Sequence, residues 1–188
     1  MGPQRDGMVS HMSQPIHDAV WINGSVGAGK TTTADKLGEE LEKRGVPGAV
    51  IDVDWLRRAW PSQQQDPFQF DLAVANIRAV AEQFHARGAK VIVAAGVVET
   101  TEQFNRCVSA LGSKRPLMVR LVLDADVALA RLQFRHGENT NEFEWHERRH
   151  PELAAIFEHV QFADELVLDS TSLAPADLAV LIADRLTN

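Results

Sequence analysis

The stretch Gly24-Ser25-Val26-Gly27-Ala28-Gly29-Lys30-Thr31 decides the fold of this chain. It fits the pattern G-x-x-x-x-G-K-[ST], whose glycines let the backbone turn so tightly that successive N–H groups point at phosphate oxygens. An apolar run at 19–23 precedes the stretch, and a helical pattern over 30–44 follows it. A chance glycine-rich turn would not require this strand before it and this helix after it. The sequence therefore predicts a phosphate-binding loop.

The residues of this loop have expected roles toward ATP and Mg²⁺. Lys30 is expected to reach the β- and γ-phosphates and so to take part in catalysis, and the Thr31 hydroxyl is expected to bind Mg²⁺. The N-terminus of the following helix adds the positive end of its dipole. The predicted nucleotide-binding residues of the loop are Gly24, Ser25, Val26, Gly27, Ala28, Gly29, Lys30, Thr31 and Thr32.

Beyond the loop, the chain alternates short apolar runs with helical patterns. The predicted strands cover 19–23, 49–53, 91–95, 117–123 and 166–168. The predicted helices cover 30–44, 55–60, 72–87, 101–111, 127–135 and 175–186. This alternation indicates βαβ units, and hence an α/β P-loop NTPase fold whose five-stranded parallel sheet has helices on both faces.

The predicted domain organisation is simple. One P-loop domain is expected over residues 16–188, and a small helical lid at about 136–150. Glycine and polar residues before a charged helix fit a segment that closes over substrate and excludes water. Residues 1–15, rich in Gly, Pro, Ser and Gln, are expected to be a disordered or tag-derived tail.

Composition narrows the class of partner. The formal net charge of −7 argues against a nucleic-acid partner, since general nucleic-acid binders carry a basic surplus. No apolar run approaches the roughly 18 residues of a membrane-spanning helix, so no membrane partner is expected. The single cysteine, Cys107, excludes an internal disulfide and fits a reducing compartment. We therefore expect a cytoplasmic monomer or homodimer, with Cys107 buried as a small apolar side chain.

Two carboxylates, Asp52 and Asp54, follow the second predicted strand. In open parallel sheets, ligands lie beyond the carboxyl ends of the strands. A carboxylate there could accept the proton of an attacking hydroxyl, or orient Mg²⁺ through water. Asp54 could instead, or in addition, cap the helix predicted from residue 55. Asp52 could belong to the metal site, as Thr31 does, or be structural.

The stretch over residues 27–60, GAGKTTTADKLGEELEKRGVPGAVIDVDWLRRAW, resembles the opening of adenylylsulfate kinases. The segment at 75–78 is similar to the Asn-Ile-Arg helix segment of that family, which implies that Asn76 and Arg78 contact the substrate. The segment ending in Trp60-Pro61 is also similar to chloramphenicol phosphotransferase. Both resemblances imply a nucleotide-kinase-like P-loop fold with Asp54 as the catalytic carboxylate.

Arg131 and Arg135 stand four residues apart and so share one face of a predicted helix. The arrangement resembles that of nucleotide kinases, which implies that Arg131 lies over the adenine and that Arg135 acts catalytically near the phosphates. A solvated helix face is the alternative. Thr171, after the last strand, is expected near the adenine, with a plain loop as the alternative.

The polar stretch before residue 151 contains further candidates. Arg148 or Arg149 could be a second phosphate ligand. His136, His146 and His150 raise the question of zinc, but the chain has no HExxH pattern and no cysteine partner, so we predict no zinc site.

The acceptor pocket is expected near the third strand. Predicted substrate contacts are Asp52, Arg57, Asn76, Arg78 and Glu99. Arg106 could meet an anionic acceptor, and the aromatic residues Trp55, Trp60, Phe68 and Phe70 could line the pocket or belong to the core.

These patterns together predict a phosphotransferase that uses ATP and Mg²⁺ and acts on a hydroxyl of a small molecule. The acceptor could be adenylylsulfate, a nucleoside, a sugar or an antibiotic. The alternatives are a kinase of polynucleotide 5′ ends and a non-catalytic nucleotide switch.

Overall fold

The computed structural model describes residues 15–137, 140–160, 162 and 165–187, and its centre is one parallel sheet. The five strands are β1 (Ala19–Gly24), β2 (Gly48–Asp52), β3 (Val91–Ala95), β4 (Pro116–Val122) and β5 (Leu166–Asp169). Their order across the sheet is β2-β3-β1-β4-β5, and every neighbouring pair is parallel. The predicted α/β fold with a five-stranded parallel sheet is confirmed.

Helices cover the sheet, and the bounds of most of them agree closely with the predicted ranges. They are α1 (Lys30–Lys43), α2 (Val53–Leu56), α3 (Phe70–Ala86), α4 (Thr101–Leu111), α5 (Ala125–His136), α6 (Asn141–His159) and α7 (Pro175–Thr187). Apolar residues of α1 and α7 pack in one buried cluster, and those of α3 and α4 pack in another. Each face of the sheet therefore has its own core.

Strand β1 runs through the middle of both cores. Val20 and Ile22 belong to the core under α1 and α7, whereas Trp21 belongs to the core under α3 and α4. The period of two along a strand accounts for this division. The indole N–H of Trp21 donates to the carbonyl of Gly96 at 3.1 Å. A Cβ at Gly96 would lie 2.8 Å from Cβ of Val53, so only glycine fits at this position.

Helix α2 is shorter than predicted and begins earlier. The prediction of a helix over 55–60 was wrong, because the Asp52 side chain accepts the backbone N–H of Asp54 and starts the helix at Val53. Trp60 precedes a proline, which disfavours helical backbone there. Turns and an isolated bridge between Gln63 and Asp66 occupy the segment before α3.

The segment after α5 is more helical than predicted. Thr140 caps α6, and the helix continues past Pro151 to residue 159. The predicted lid at about 136–150 thus corresponds to the end of α5 and the first half of α6, with residues 138 and 139 outside the described part. Its closure over substrate stays a prediction.

Three further predictions concern the tail, the cysteine and the membrane. The predicted tail at 1–15 lies, except for residue 15, outside the described residues. Cys107 is buried as predicted, and this burial raises the pKa of its thiol to about 12. In the part of the chain that the structure describes, no helix has the length and apolar character needed to cross a bilayer.

Candidate active site

The phosphate-binding loop lies between β1 and α1, at the carboxyl edge of the sheet. Gly27 and Gly29 have φ of 82° and 83°, in the left-handed region that favours glycine. A Cβ at Gly24 would lie 2.6 Å from the carbonyl oxygen of Leu121. The glycine pattern thus meets both conformational and steric needs of the loop.

Lys30 is held at the mouth of this loop. Its Nζ donates to the carbonyls of Gly24 and Ser25, each at 3.0 Å. Burial lowers the pKa of Lys30 to about 8, although Asp54 and Asp52 act in the opposite direction. Bound phosphates would favour the charged form of Lys30, so nucleotide binding would raise the pKa of this lysine.

Two hydrogen bonds link Thr31, Asp52 and Asp54 beside Lys30. The Thr31 hydroxyl donates to Oδ2 of Asp52 at 2.9 Å, and Oδ1 of Asp52 accepts the N–H of Asp54 at 2.9 Å. Asp52 is therefore the helix cap, and the alternative that Asp54 caps this helix was wrong. Asp52 also lies opposite Ala95 in the register of β2 and β3.

The donor set of Thr31 and Asp52 fits Mg²⁺. Hydroxyl and carboxylate oxygens are the hard ligands that Mg²⁺ takes, and the ion commonly uses one or two protein groups with phosphates and water. Within the described residues, no group of three or more His, Cys, Asp or Glu is arranged to hold a metal ion. A site completed by nucleotide phosphates is the arrangement that these residues allow.

Asp54 is paired with Arg57 from the next turn. An Nη2 atom of Arg57 donates to Oδ1 of Asp54, and the Asp54 side chain is 58% exposed. The other carboxylate oxygen of Asp54 therefore remains available toward solvent. Arg57 was predicted as a substrate contact, and the structure brings it to Asp54.

A cavity of about 440 Å³ joins these groups. Its lining includes most of the predicted loop residues, together with side chains from α3, α4, α5 and α6. The residues of the lining are Val26, Gly27, Gly29, Lys30, Thr31, Thr32, Asp54, Arg57, Asp66, Phe68, Phe70, Val97, Glu99, Gln103, Arg131, Leu132, Phe134, Arg135, Trp145, His146, Arg149 and Leu153. One cavity thus collects predicted nucleotide, catalytic and substrate residues.

The two arginines of α5 enter the cavity from the side of the loop. Arg131 donates to the carbonyl of Gly27 at 3.3 Å and to that of Ser170 at 2.7 Å. Arg135 is exposed and lines the cavity. Thr171 lies nearby but not in the lining, and its hydroxyl accepts the N–H of Asp124 at 2.9 Å.

Helix α6 lines the cavity through Arg149, and its next residue, His150, contacts the phosphate-binding loop. Arg149 donates to Glu99, just past β3, and to Glu152 at 3.0 Å. His150 is buried, and its Nδ1 lies 3.1 Å from the carbonyl oxygen of Val26. Because a carbonyl only accepts, Nδ1 carries the proton in this contact.

Some predicted residues lie elsewhere. Asn76 donates to the carbonyl of Leu56 at 2.6 Å and is not in the cavity lining. Arg78 is exposed and lies in a separate surface depression between α3 and α4. Arg106 pairs with Asp71 at 2.6 Å in the same region. The structure therefore does not bring these side chains to the cavity.

Several cavity residues were missed from the sequence, among them Asp66 and Gln103. Asp66 accepts the backbone N–H groups of Phe70 and Asp71 at 2.7 and 2.9 Å, and its position four residues before a helix was the available signal. Gln103 accepts the N–H of Glu99 at 2.7 Å, for which the sequence has no signal.

Comparison with known proteins agrees with this geometry. The model of the AAA domain family matches residues 20–160, which is most of the chain. A probable adenylyl-sulfate kinase of Aeropyrum pernix is 47% identical over 38 residues, which are 20% of this chain and 21% of that protein. The chain therefore spans about a fifth of the length of the curated relative it matches.

Solved structures extend the likeness over the whole domain. A gluconokinase from Sinorhizobium meliloti 1021 has a TM-score of 0.57 and 15% identity, covering 90% of this chain and 93% of that chain. A tunicamycin resistance protein of Deinococcus radiodurans has a TM-score of 0.57 and 24% identity, covering 89% and 94%. A sugar kinase from Janibacter sp. HTCC2649 has a TM-score of 0.57 and 19% identity, covering 88% and 92%. These likenesses confirm the P-loop kinase fold and the predicted resemblance to small-molecule kinases.

Proposed function

The chain belongs to the AAA domain family, and from this premise we propose that it transfers the γ-phosphoryl group of ATP to a hydroxyl of a small molecule. The observation that carries the proposal is the position of Asp54, which lines the same cavity as Lys30 and Arg135. A carboxylate that faces the phosphate-binding groups is what activation of a hydroxyl requires.

The loop side of the cavity suits the nucleotide. Backbone N–H groups of the glycine-rich loop and the N-terminus of α1 would hold the phosphates. Arg131, fixed by the carbonyls of Gly27 and Ser170, would lie against the adenine, with Thr171 close by. Thr31 and Asp52 would hold Mg²⁺, which would supply positive charge to the phosphates of the nucleotide.

The transfer step needs one proton acceptor and several fixed positive charges. The hydroxyl oxygen of the acceptor forms the new bond to the γ-phosphorus, and its proton passes to the free carboxylate oxygen of Asp54. The bond between that phosphorus and the β,γ-bridging oxygen breaks, and its electron pair leaves with ADP. Lys30 and Arg135 stabilise the negative charge of the transferring group.

The test is acceptor-dependent release of ADP, measured over nucleosides, sugars, adenylylsulfate and antibiotics. We expect the substitution D54N to lower kcat by about 10²- to 10⁴-fold, because it removes the proton acceptor. The Kd of ATP should stay the same, since Asp54 does not belong to the glycine-rich loop. The matched control D71N changes an exposed carboxylate outside the cavity and should keep full activity. Full activity of the D54N variant would remove Asp54 from the mechanism.

A further inference from the structure

The charged side chains that line the cavity fall into two groups. Lys30, from the start of α1, and Arg131 and Arg135, from α5, form the first group, and we expect their positive charges to face the triphosphate. The second group contains Glu99 and Arg149, and these two together with Phe68, Gln103, Trp145 and His146 are here called the acceptor wall. The charges on this wall decide which acceptors it can take.

The positive charge of the acceptor wall is already balanced. Arg149 has an exposed side-chain fraction of only 15% and pairs with both Glu99 and Glu152. Arg57, beside the wall, pairs with Asp54. Burial, with the nearby His136 and Arg135, lowers the pKa of His146, so this imidazole is neutral at neutral pH. An anionic group on an acceptor that lies against Glu99 would therefore meet its carboxylate, while the cation of the wall, Arg149, is already paired.

Hydrogen-bonding groups for hydroxyls are present on the same wall. Glu99 gives one carboxylate oxygen to Arg149, and Gln103 gives its amide oxygen to the N–H of Glu99. Among the described residues, no partner is found for the second carboxylate oxygen of Glu99 or for the amide NH₂ of Gln103. Together, the carboxylate oxygen of Glu99 and the amide NH₂ of Gln103 provide an acceptor and a donor for two hydroxyls of a polyol in the same cavity.

Aromatic side chains frame the mouth of the cavity. Phe68, Phe134 and Trp145 are 48%, 95% and 44% exposed, and all three line the cavity. Single exposed aromatic residues are common, but a group around one cavity indicates a binding surface. The guanidinium of Arg149 lies 5.4 Å from the ring centroid of Phe68, which fixes that ring beside Glu99. Such walls suit a flat or ring-shaped ligand.

We propose that the acceptor is an uncharged ring compound with several hydroxyls, of the nucleoside or glycoside class, and that sulfated, phosphorylated or carboxylated acceptors are poor substrates. This inference rests on the proposed function. Glu99 and Gln103 bind the hydroxyls, the aromatic residues cover the ring, and the Arg149–Glu99 pair excludes anions.

The experiment compares matched pairs of acceptors in the full chain with ATP and Mg²⁺. The pairs are adenosine and adenylylsulfate, uridine and uridine 5′-monophosphate, methyl glucoside and glucuronate, and glucose and gluconate. We expect the neutral member of at least one pair to have a kcat/KM about tenfold or more above that of its anionic partner, because like charges brought together are costly. The first two pairs test the nucleoside class and the last two the sugar class.

A substitution reverses the preference if the inference is correct. In the E99Q variant, Arg149 loses a charged partner, so the ratio of anionic to neutral turnover should rise about tenfold or more. The double variant E99Q/R149M should lose this gain, because the cation that would attract the anion is gone. The control E102Q alters an exposed glutamate on the neighbouring turn of α4 and should leave the ratio unchanged.

Failure of this inference and failure of the proposed function give different results. If the anionic members are preferred, or if E99Q leaves the ratio unchanged, the inference is wrong while the kinase function stands. If no acceptor increases ADP release although ATP binds, the proposed function is wrong. Binding of the same pairs to protein saturated with a non-hydrolysable ATP analogue then tests the wall without turnover. Tighter binding of the anionic members, or no binding of any neutral member, would overturn the inference.

Discussion

At the scale of single residues, Asp52 divides its two carboxylate oxygens between the backbone and Thr31. One oxygen caps α2 through the N–H of Asp54, and the other accepts the Thr31 hydroxyl. The two contacts serve different purposes, because the first stabilises the helix start and the second belongs to the expected metal site. Substitutions can separate them.

We predict that D52N keeps stability but weakens the response to Mg²⁺. Asparagine is as good a helix cap as aspartate, so the free energy of unfolding should change by less than about 0.5 kcal/mol. The loss of negative charge should raise the Mg²⁺ concentration for half-maximal activity by about tenfold. D52A should show the same Mg²⁺ effect and lose about 1 kcal/mol of stability as well. Urea unfolding and Mg²⁺ titrations measure the two effects, and an unchanged Mg²⁺ requirement in both variants would contradict the assignment.

The lowered pKa of Lys30 leads to a prediction about protons. Above pH 8 the lysine of the free protein is mostly neutral, since its pKa is about 8. Bound phosphates raise that pKa, so nucleotide binding at pH 8.5 should take up a proton. The terminal phosphate itself, with a pKa of about 6, is already deprotonated there. Calorimetric titration with a non-hydrolysable ATP analogue in two buffers of different ionisation enthalpy measures the uptake.

The control for this prediction is K30R, whose guanidinium stays charged in the free and bound protein. Its binding heat should not depend on the buffer, even if its affinity is lower. Equal heats in both buffers for the unsubstituted protein would show that Lys30 is already protonated at pH 8.5.

At the scale of elements, α6 connects the acceptor wall to the phosphate-binding loop. Arg149 contacts Glu99, 50 residues earlier, and His150 contacts Val26, 124 residues earlier. Consecutive residues of one helix therefore hold both sides of the cavity. A change in the position of α6 would therefore alter the binding of both the acceptor and the nucleotide.

We expect H150A to weaken ATP binding, because it leaves the partly buried carbonyl of Val26 without its donor and loosens the loop. A lost hydrogen bond of about 1 kcal/mol corresponds to an about fivefold higher Kd. H150N should restore much of the affinity, since its amide NH₂ takes the place of Nδ1–H. H159A, which changes an exposed histidine of the same helix, serves as control and should bind ATP normally. If H150A and H159A bind equally well, the contact with Val26 does not support the loop.

The elements themselves could largely be predicted from the sequence, because periodicity and the glycine-rich loop are local signals. The start of α2 could not, since it depends on which of two aspartates caps the helix, and Asp52 and Asp54 are the same type of residue. Likewise, the lid was predicted at about 136–150, whereas α6 continues past Pro151 to His159. Local patterns thus gave the order of the elements but not all of their ends.

The candidate site was predictable on its nucleotide side and less so on its acceptor side. The loop residues follow from one contiguous motif, whereas Glu99, Gln103 and Arg149 come from three separate places, the segment after β3, α4 and α6. Asn76 and Arg78 came from a resemblance to a family, and both lie outside the cavity. Contacts between distant segments depend on helix orientation, which a single sequence does not specify.

At the scale of the whole molecule, the two cores on either face of the sheet meet at β1, which leads directly into the phosphate-binding loop. A ligand held by this loop therefore stabilises a segment anchored in both cores. Because binding to the folded state alone adds to stability, ATP with Mg²⁺ should shift the unfolding of the entire domain.

We predict that saturating ATP and Mg²⁺ raise Tm as one cooperative transition. At a ligand concentration of about 100 Kd the gain is about 2.7 kcal/mol. For a domain of this size, each kcal/mol raises Tm by about 2–4 °C, so the expected shift is about 5–11 °C. Differential scanning calorimetry measures both the shift and the number of transitions. Removal of Mg²⁺ with EDTA should reduce the shift, since we propose that Thr31 and Asp52 hold this ion together with the phosphates.

Two lysines of α1 provide the matched comparison for this prediction. Lys30 lines the cavity, whereas Lys36 lies on the helix surface and pairs with Glu39 at 2.8 Å. K30A should lose most of the shift, because the lysine that meets the phosphates is gone, and K36A should keep all of it. A second transition that does not move with nucleotide would mean that part of the chain folds independently of the loop. Equal shifts in the two variants would mean that ATP stabilises the protein from a different site.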